Sequence, residues 1–215
     1  MPSSSLQHLA LGAERHSEAA ALLARAFQEG PPYVRLFESA ERRSQALPRV
    51  FGALVVLHGN HAQAFATLDQ RQLVGVSLWK PCGLSFGVPD YLRHGLLGLA
   101  RVGLGRVLRM LRLDDEYKAT LAEHADPSDL YLSTIGVLPG RQGQGIGSRM
   151  LAEQLGASWA LERTNWLWTH TDANERLYDR YGFSTVLRRD YPDPRGYTAR
   201  LMRRPAGGMP PSAGR

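Results

Sequence analysis

A glycine-rich turn between a predicted strand and a predicted helix is the part of the sequence best suited to chemistry. It reads Gln142, Gly143, Gln144, Gly145, Ile146 and Gly147, followed by Ser148. The first backbone N–H groups of a helix have no partner within the helix, and the helix dipole adds partial positive charge to them. Glycine lets a ligand approach these amides and adopts positive φ without strain. We therefore predict an anion site, best filled by a phosphate group.

Spacing argues against two common phosphate-binding turns. A P-loop needs a lysine directly after its last glycine, and no lysine lies near this turn. A dinucleotide-binding turn needs a third glycine where Ser148 stands, and it follows an early βαβ unit that is missing here. From the turn alone, an ordinary tight connection between strand and helix without a ligand remains an alternative.

A second polar pattern lies one helix and one strand further along the chain. It reads NERLYDRYGF, from Asn174 to Phe183. Asn174 and Tyr178 are four residues apart, so they lie on one face of the predicted helix. Asn174 is predicted to cap this helix, and Gly182 to end it in the left-handed conformation.

Together the two patterns resemble the motifs of the GCN5-related N-acetyltransferase (GNAT) superfamily. The turn matches Gln/Arg-x-x-Gly-x-Gly/Ala, which in that family cradles the pyrophosphate of coenzyme A. The second pattern is similar to its Asn-x-x-x-Tyr-x-x-x-Gly-Phe segment. The resemblance is close over residues 130–183 and loose over 6–204. The runs VSLWKP, STIGVLPGRQGQGIGS and LYDRYGF look most like the puromycin N-acetyltransferase branch and its relatives.

The resemblance implies acetyl-CoA as cosubstrate and a role for each matching residue. No metal is predicted, because the histidines lack the spacing that zinc requires. The implied cofactor-binding residues are Ile135, Gly136 and Val137 on an open strand, Gln142, Gly143, Gln144, Gly145, Ile146, Gly147 and Ser148 in the turn, and Asn174. Tyr178 is the implied general acid for the departing thiolate. A phenol has a pKa of about 10 and a thiol about 8.5, so this proton transfer is mildly uphill and contributes on the order of 10²-fold.

The general base is not identified by the resemblance. Many relatives place a carboxylate on or near the cofactor strand, where this sequence has none. A chain of water molecules, Glu29 or Glu38 remain alternatives. His170, near the end of a predicted strand, is either a base or a hydrogen-bonded structural residue.

The other elements are predicted to position these motifs in an α/β (α+β) fold. The resemblance implies a mixed central sheet of about six to seven strands flanked by helices. Strands are predicted at 6–11, 62–68, 72–80, 130–137, 165–171, 183–191 and 196–203. Helices are predicted from Ser17 as N-cap, over 41–58 with a kink or restart at Pro48, over 91–113, over 115–124, and after each motif.

Residues 1–204 are predicted to form a single domain, followed by a disordered tail at 205–215. A helical insertion at about 88–126 precedes the cofactor strand, so we expect it to cover the pocket and to determine substrate choice. Its arginine-rich part, from Tyr91 to Leu113, could instead lie on a membrane or on nucleic acid. A helix packed on the sheet with its arginines in water is the favoured interpretation.

Composition excludes several classes of protein. The chain has 215 residues, 43% of them hydrophobic, and a net charge of +6 in which only Lys80 and Lys118 among 26 basic residues are lysines. Cys82 is the only cysteine, so neither an intrachain disulfide nor a thiolate metal cluster can form. No apolar run approaches the ~20 residues of a membrane span, and no secretion signal is recognised, so we expect a cytoplasmic protein.

The sequence therefore predicts an acetyl-CoA-dependent N-acetyltransferase that transfers an acetyl group directly to a primary amine, that of a small molecule rather than a protein. The expected state is a monomer or homodimer, with no membrane or nucleic-acid partner. Two alternatives stay open: a non-catalytic acyl-CoA-binding sensor or regulatory protein, and a protein N-acetyltransferase.

Overall fold

A seven-stranded mixed sheet organises the chain. A computed structural model describes residues 6–94, 104–192 and 195–208. The strands are β1 (Gln7–Ala10), β2 (Gln63–Asp69), β3 (Gln72–Pro81), β4 (Leu130–Val137), β5 (Asn165–Thr169), β6 (Ser184–Tyr191) and β7 (Tyr197–Arg204). Their order is β1-β2-β3-β4-β5-β7-β6, and β4–β5 is the parallel pair. The predicted fold class is confirmed.

Helices cover both faces of this sheet. The described ones are α1 (His16–Ala26), α2 (Pro31–Leu36), α3 (Ala40–His61), α4 (Val88–Arg93), α5 (Leu104–His124), α6 (Ile146–Gly156), α7 (Ser158–Leu161) and α8 (Asp172–Asp179). A Cβ on Gly136 of β4 would meet Leu23 of α1, whereas one on Gly75 of β3 would meet Met150 of α6. Gly136 pairs with Val76, and successive residues of a strand face opposite sides of a sheet, so Gly75 faces away from Gly136 and α1 and α6 lie against opposite faces of the sheet's centre.

Two details of the predicted helices differ from the structure, and of the kink or restart predicted at Pro48 only the restart is excluded. Helix α1 begins at His16, so Ser17 lies inside it and does not cap it. Pro48 lies within α3 without ending it. No new helix starts at Asp115, because α5 runs through this point and an ion pair from Asp114 to Lys118, 2.6 Å apart, supports it.

The predicted insertion and tail lie partly outside the described residues. Gly95, Gly98 and Gly103 of the insertion fall there, as do residues 209–215 of the tail. Residues 205–208 are described, and Gly207 donates a hydrogen bond to the carbonyl of Leu161 over 2.8 Å. This first part of the predicted tail therefore contacts the end of α7.

Candidate active site

The glycine turn that precedes α6 has the geometry of an anion site. Gly143 and Gly145 have φ of +77° and +73°, in the left-handed region where glycine is favoured. A Cβ at either residue would meet no heavy atom within 4 Å in the described chain. The turn thus borders open space, which suits a ligand that must come close to the backbone.

Side chains on either side hold this turn in shape. The amide of Gln142 donates to the carbonyl of Val137 over 3.0 Å, which ties the turn to the end of β4. Arg141 donates from Nε to the side chain of Gln144 over 3.0 Å and also pairs with Asp69 at the end of β2. Arg141 is therefore an anchored cation beside the turn.

A buried polar network fixes α6 against the sheet. The indole of Trp79 donates to Gln154 Oε1 over 2.8 Å, and Gln154 Nε2 donates to Ser77 Oγ over 2.6 Å. All three residues are buried. Since buried polar groups are costly unless paired, this network selects one position for α6 and hence for the turn at its start.

Strand β4 has an open edge beyond its first three residues. It pairs with β5 only over Leu130–Leu132, and the two parallel strands then diverge. A register shift against β3 leaves Ser133 as a bulge residue at the point of divergence. Within these fully described strands, Ile135, Gly136 and Val137 thus lie where the edge facing β5 is free to bind a ligand.

Helix α8 presents Asn174 and Tyr178 toward the same space. The prediction that Asn174 caps this helix is wrong: Thr171 is the cap, and its Oγ1 accepts from the Asn174 backbone N–H over 3.2 Å. Asn174 therefore lies in the first turn, one turn before Tyr178. Gly182, with φ of +82°, follows the helix as predicted.

Charged residues anchor the start of α8 to the sheet. Arg200 of β7 is buried and pairs with Asp172 and, over 2.8 Å, with Glu175. Burial by itself would raise the pKa of Glu175. Hydrogen bonds from Thr185 and Arg188 and the charges of Arg188 and Arg200 outweigh it and hold this pKa below its usual value. The carboxylates of Asp172 and Glu175, both in the first turn, also interact favourably with the helix dipole.

A cavity of about 990 Å³ joins the turn, the open edge and α8. The predicted site residues that line it are Ile135, Gly136, Val137, Gln142, Gly143, Gly145, Ile146, Gly147, Ser148, Asn174 and Tyr178. Gln144 is adjacent, with its side chain hydrogen-bonded to Arg141. Burial raises the pKa of Tyr178 above its ordinary value, so its phenol keeps its proton at neutral pH.

Comparison with known proteins shows the family. The model of the acetyltransferase (GNAT) domain family matches residues 102–185. The N-alpha-acetyltransferase RimI of Mycobacterium tuberculosis is 32% identical over 155 residues, which cover 68% of this chain and 87% of that protein. The chain belongs to the GNAT acetyltransferase family. It is therefore an N-acetyltransferase, and the donor that this family uses is acetyl-CoA.

Solved structures share the GNAT fold over nearly the whole chain. The histone acetyltransferase HPA2 and related acetyltransferase of Corynebacterium glutamicum superposes with a TM-score of 0.65, at 20% identity over 96% of this chain and 98% of that one. The PaiA N-acetyltransferase of Thermoplasma acidophilum, solved in complex with coenzyme A, gives a TM-score of 0.53 at 11% identity over 94% and 99%.

His170 and Tyr117 line the cavity of this GNAT enzyme near α8 and form a cluster with Tyr197. Nε2 of His170 lies 3.1 Å from the phenol oxygen of Tyr117, which lies 3.1 Å from that of Tyr197. Burial, and secondarily Arg200, lowers the pKa of His170 to about 4, so the imidazole is neutral at pH 7. Sequence reasoning identified His170 but missed Tyr117, which lies 53 residues away on α5.

The carboxylates considered as bases occupy different places. Glu29 lines the cavity, but its carboxylate accepts from Arg43 over 2.9 Å. Glu38 is exposed and does not line the cavity, while its backbone carbonyl accepts from Arg195. Neither of the two therefore presents a free carboxylate to the cavity.

The described residues contain neither a metal-binding cluster nor a membrane-spanning helix. No group of three or more His, Cys, Asp or Glu side chains is arranged there to hold a metal ion. No helix in the same part of the chain has the length and apolarity to cross a bilayer.

Proposed function

We propose that this enzyme transfers the acetyl group of acetyl-CoA directly to the primary amine of a small molecule. One observation carries the proposal. A single cavity extends from the glycine turn, past the open edge of β4, to an end lined by aromatic side chains of α2, α4 and α5. Such a path has room for a phosphate-bearing donor at one end and an acceptor at the other.

The donor end fits coenzyme A. The backbone amides from Gln142 to Ser148 hold the diphosphate at the N-terminus of α6. The free edge of Ile135, Gly136 and Val137 binds the pantetheine arm by main-chain hydrogen bonds, and Asn174 adds a side-chain hydrogen bond. Bound acetyl-CoA supplies the activated thioester, and the open strand orients it.

Tyr178 donates the proton that the departing thiolate requires. Its burial in the cavity wall keeps the phenol neutral, and its ring packs edge-on against Phe183, 5.8 Å away. This packing fixes the direction of the hydroxyl. Because a phenol is a weaker acid than a thiol, we expect Tyr178 to accelerate the reaction only on the order of 10²-fold.

His170 accepts the proton that the amine loses. Its imidazole is neutral at pH 7 and lines the same cavity as Tyr178. The acceptor binds as the free amine, having lost its first proton to solvent. Attack on the thioester carbon makes the nitrogen cationic, and its surplus proton becomes strongly acidic as the intermediate collapses to the amide, so a base with a pKa near 4 suffices. The stacked ring of Tyr117, with its phenol 3.1 Å from Nε2, holds the imidazole in place.

Contacts beside the acceptor end support a small substrate. Arg195, at the β6–β7 connection, donates to the carbonyl of Glu38 over 2.6 Å and to that of Val34 in α2. Arg35 of α2 donates back to the carbonyl of Pro192. These bonds bridge the two segments next to cavity-lining α2, and they would have to open for an extended peptide to enter between them.

A peptide N-terminus is the second candidate acceptor. The specific observation in its favour is the 32% identity to an enzyme named as an N-alpha-acetyltransferase. The resemblance of the cofactor-side motifs to the puromycin branch favours a small molecule instead. A non-catalytic acyl-CoA sensor is the third reading, and it predicts binding of acetyl-CoA without turnover.

A thiol-release assay separates these readings. The purified protein is incubated with acetyl-CoA and, in turn, with puromycin, benzylamine-type amines and short peptides with a free N-terminus. Faster release with small amines supports the proposal, and release confined to peptides rejects it. Calorimetry with acetyl-CoA runs in parallel, because binding without release on any amine indicates the sensor, and no binding overturns the cofactor assignment.

A further inference from the structure

Both lysines of the chain line the acceptor end of the cavity. Every other basic residue among the 26 is arginine, yet Lys80 of β3 and Lys118 of α5, 38 positions apart, come to the same wall. Lys80 Nζ lies 5.3 Å from the ring centre of Tyr131, and Lys118 Nζ lies 5.8 Å from that of Tyr91. An ammonium is a compact point charge and fits where the planar fork of arginine would not.

The two ammonium groups differ in how their charge is balanced. Lys118 pairs with Asp114 over 2.6 Å and donates to the carbonyl of Phe86 over 2.9 Å. Lys80 is only 5% exposed and donates to the carbonyl of Leu84. Among the described residues, no carboxylate forms an ion pair with Lys80. Buried charges are normally paired, so this is an unusual state for an ammonium.

The neighbours of Lys80 do not supply the missing negative charge. Burial raises the pKa of the Cys82 thiol to about 12, so the thiol stays protonated. Burial lowers the pKa of His58 to about 4, so that imidazole is neutral. Asp114 is the carboxylate that acts on Lys80, and it is already paired with Lys118. Burial lowers the pKa of Lys80 from its ordinary value, because no carboxylate of the described residues is paired with its ammonium.

We propose that Lys80 binds a carboxylate of the acceptor, which makes the substrate an aminocarboxylate with its amine and its carboxylate well separated. This rests on the proposed function. A single uncompensated cation matches the single charge of a carboxylate. Strand β4 rises about 3.4 Å per residue, so Tyr131, beside Lys80, lies roughly 7 Å from Ser133, where the edge opens toward the thioester. A rigid spacer of that order would join the two groups.

Three matched amines test this substrate class. They are 4-(aminomethyl)benzoate, its neutral amide 4-(aminomethyl)benzamide, and benzylamine, each assayed for thiol release at saturating acetyl-CoA. A charged hydrogen bond is worth about 1.5–3 kcal/mol, so we expect kcat/KM for the carboxylate to exceed that for the amide by about 10-fold or more. Equal values for carboxylate and amide in the wild-type enzyme would overturn the proposal.

Variants separate recognition from a structural role. Lys80→Met should abolish the preference for the carboxylate while leaving benzylamine turnover and acetyl-CoA affinity near those of the wild type. Arg112→Met is the control, since it removes one positive charge from an exposed position of α5 and should keep the preference. If Lys80 only tethers the loop at Leu84, Lys80→Met slows all three amines by one factor and the carboxylate-to-amide ratio stays unchanged, which rejects the proposal.

A binding measurement tests the role of Lys80 without requiring turnover. Calorimetry with 4-methylbenzoate and 4-methylbenzamide on the wild-type protein compares the anion with its neutral isostere. Tighter binding of the benzoate supports the lysine site even if none of the amines is acetylated, an outcome that would reject the proposed function alone. Equal or weaker binding of the benzoate rejects the lysine site while leaving the acetyltransferase assignment intact.

Discussion

The phenol of Tyr181 donates a hydrogen bond to the backbone carbonyl of Ser148 over 2.8 Å. Ser148 lies in the first turn of α6, directly after the glycine turn, and Tyr181 follows Arg180, the C-cap of α8, which carries Tyr178. The bond therefore joins the two motifs of the site across 33 residues of sequence. It sets the position of the proposed acid relative to the proposed phosphate cradle.

Tyr181→Phe should weaken coenzyme A binding more than it slows catalysis. The change removes one hydrogen bond worth about 1 kcal/mol and leaves the ring in place, so we expect the Kd for coenzyme A to rise by about fivefold. Calorimetry gives the Kd, and steady-state thiol release gives kcat. A large fall in kcat with an unchanged Kd would show instead that Tyr181 acts in the chemistry.

Tyr178→Phe should have the opposite effect, slowing catalysis without weakening acetyl-CoA binding. The ring still packs against Phe183, but no proton is available for the thiolate, so kcat is expected to fall on the order of 10²-fold with the Kd for acetyl-CoA unchanged. Tyr181→Phe is the matched control, because it removes a phenol from the same motif. Wild-type kcat in Tyr178→Phe would remove this residue from the mechanism.

His170→Gln should lower kcat/KM for the amine by about 10²-fold at pH 7, since glutamine keeps a polar group near Tyr117 but does not accept a proton. The Kd for acetyl-CoA should not change. The affinity for an unreactive acceptor analogue separates the two roles of the imidazole. An unchanged affinity with a slow rate indicates a base, and lost affinity in proportion to the rate indicates a binding residue.

The parts of the site that sequence reasoning predicted are local in the chain. The glycine turn and the Asn174-to-Gly182 segment each lie within about ten residues, so their backbone geometry follows from residue types and spacing. The helix cap shows the limit of this reasoning. Asn174 and Thr171 are both good caps, and Thr171 takes the position in a helix whose first residue, Asp172, pairs with Arg200 of the distant strand β7.

The parts that were missed depend on contacts between distant segments. The pairing of Tyr117 with Tyr197 spans 80 residues, and the approach of Lys80 to Lys118 requires the helical insertion to pack over β3. The bulge at Ser133 is a register shift between strands, and register depends on how the whole sheet packs. The presence of only two lysines was visible in the sequence, but not that they share a cavity.

Gly145→Ala should damage the anion site. With φ of +73°, this residue would place a Cβ in a conformation that costs about 1–2 kcal/mol, and the turn would shift to relieve it. We expect coenzyme A affinity to fall by about 10-fold. Gly156→Ala at the end of α6 is the control: it also faces open space but lacks a positive φ, so it should raise stability by about 0.4–1 kcal/mol and leave affinity unchanged.

His58 should make the protein less stable in mild acid. It is fully buried in α3, and burial lowers its pKa to about 4, against 6.5 when unfolded. The unfolded chain therefore binds the proton more tightly, so the stability due to the neutral imidazole is complete above about pH 6.5 and is lost as the pH falls toward 4, up to about 3 kcal/mol. Urea unfolding across this range measures the loss.

His58→Leu should reduce the slope of unfolding free energy against pH. His124→Leu is the control: it removes the same kind of Nδ1 contact to a carbonyl four residues back, but at an exposed position. This variant should keep the wild-type slope. An equal change in both variants would contradict the assignment to His58.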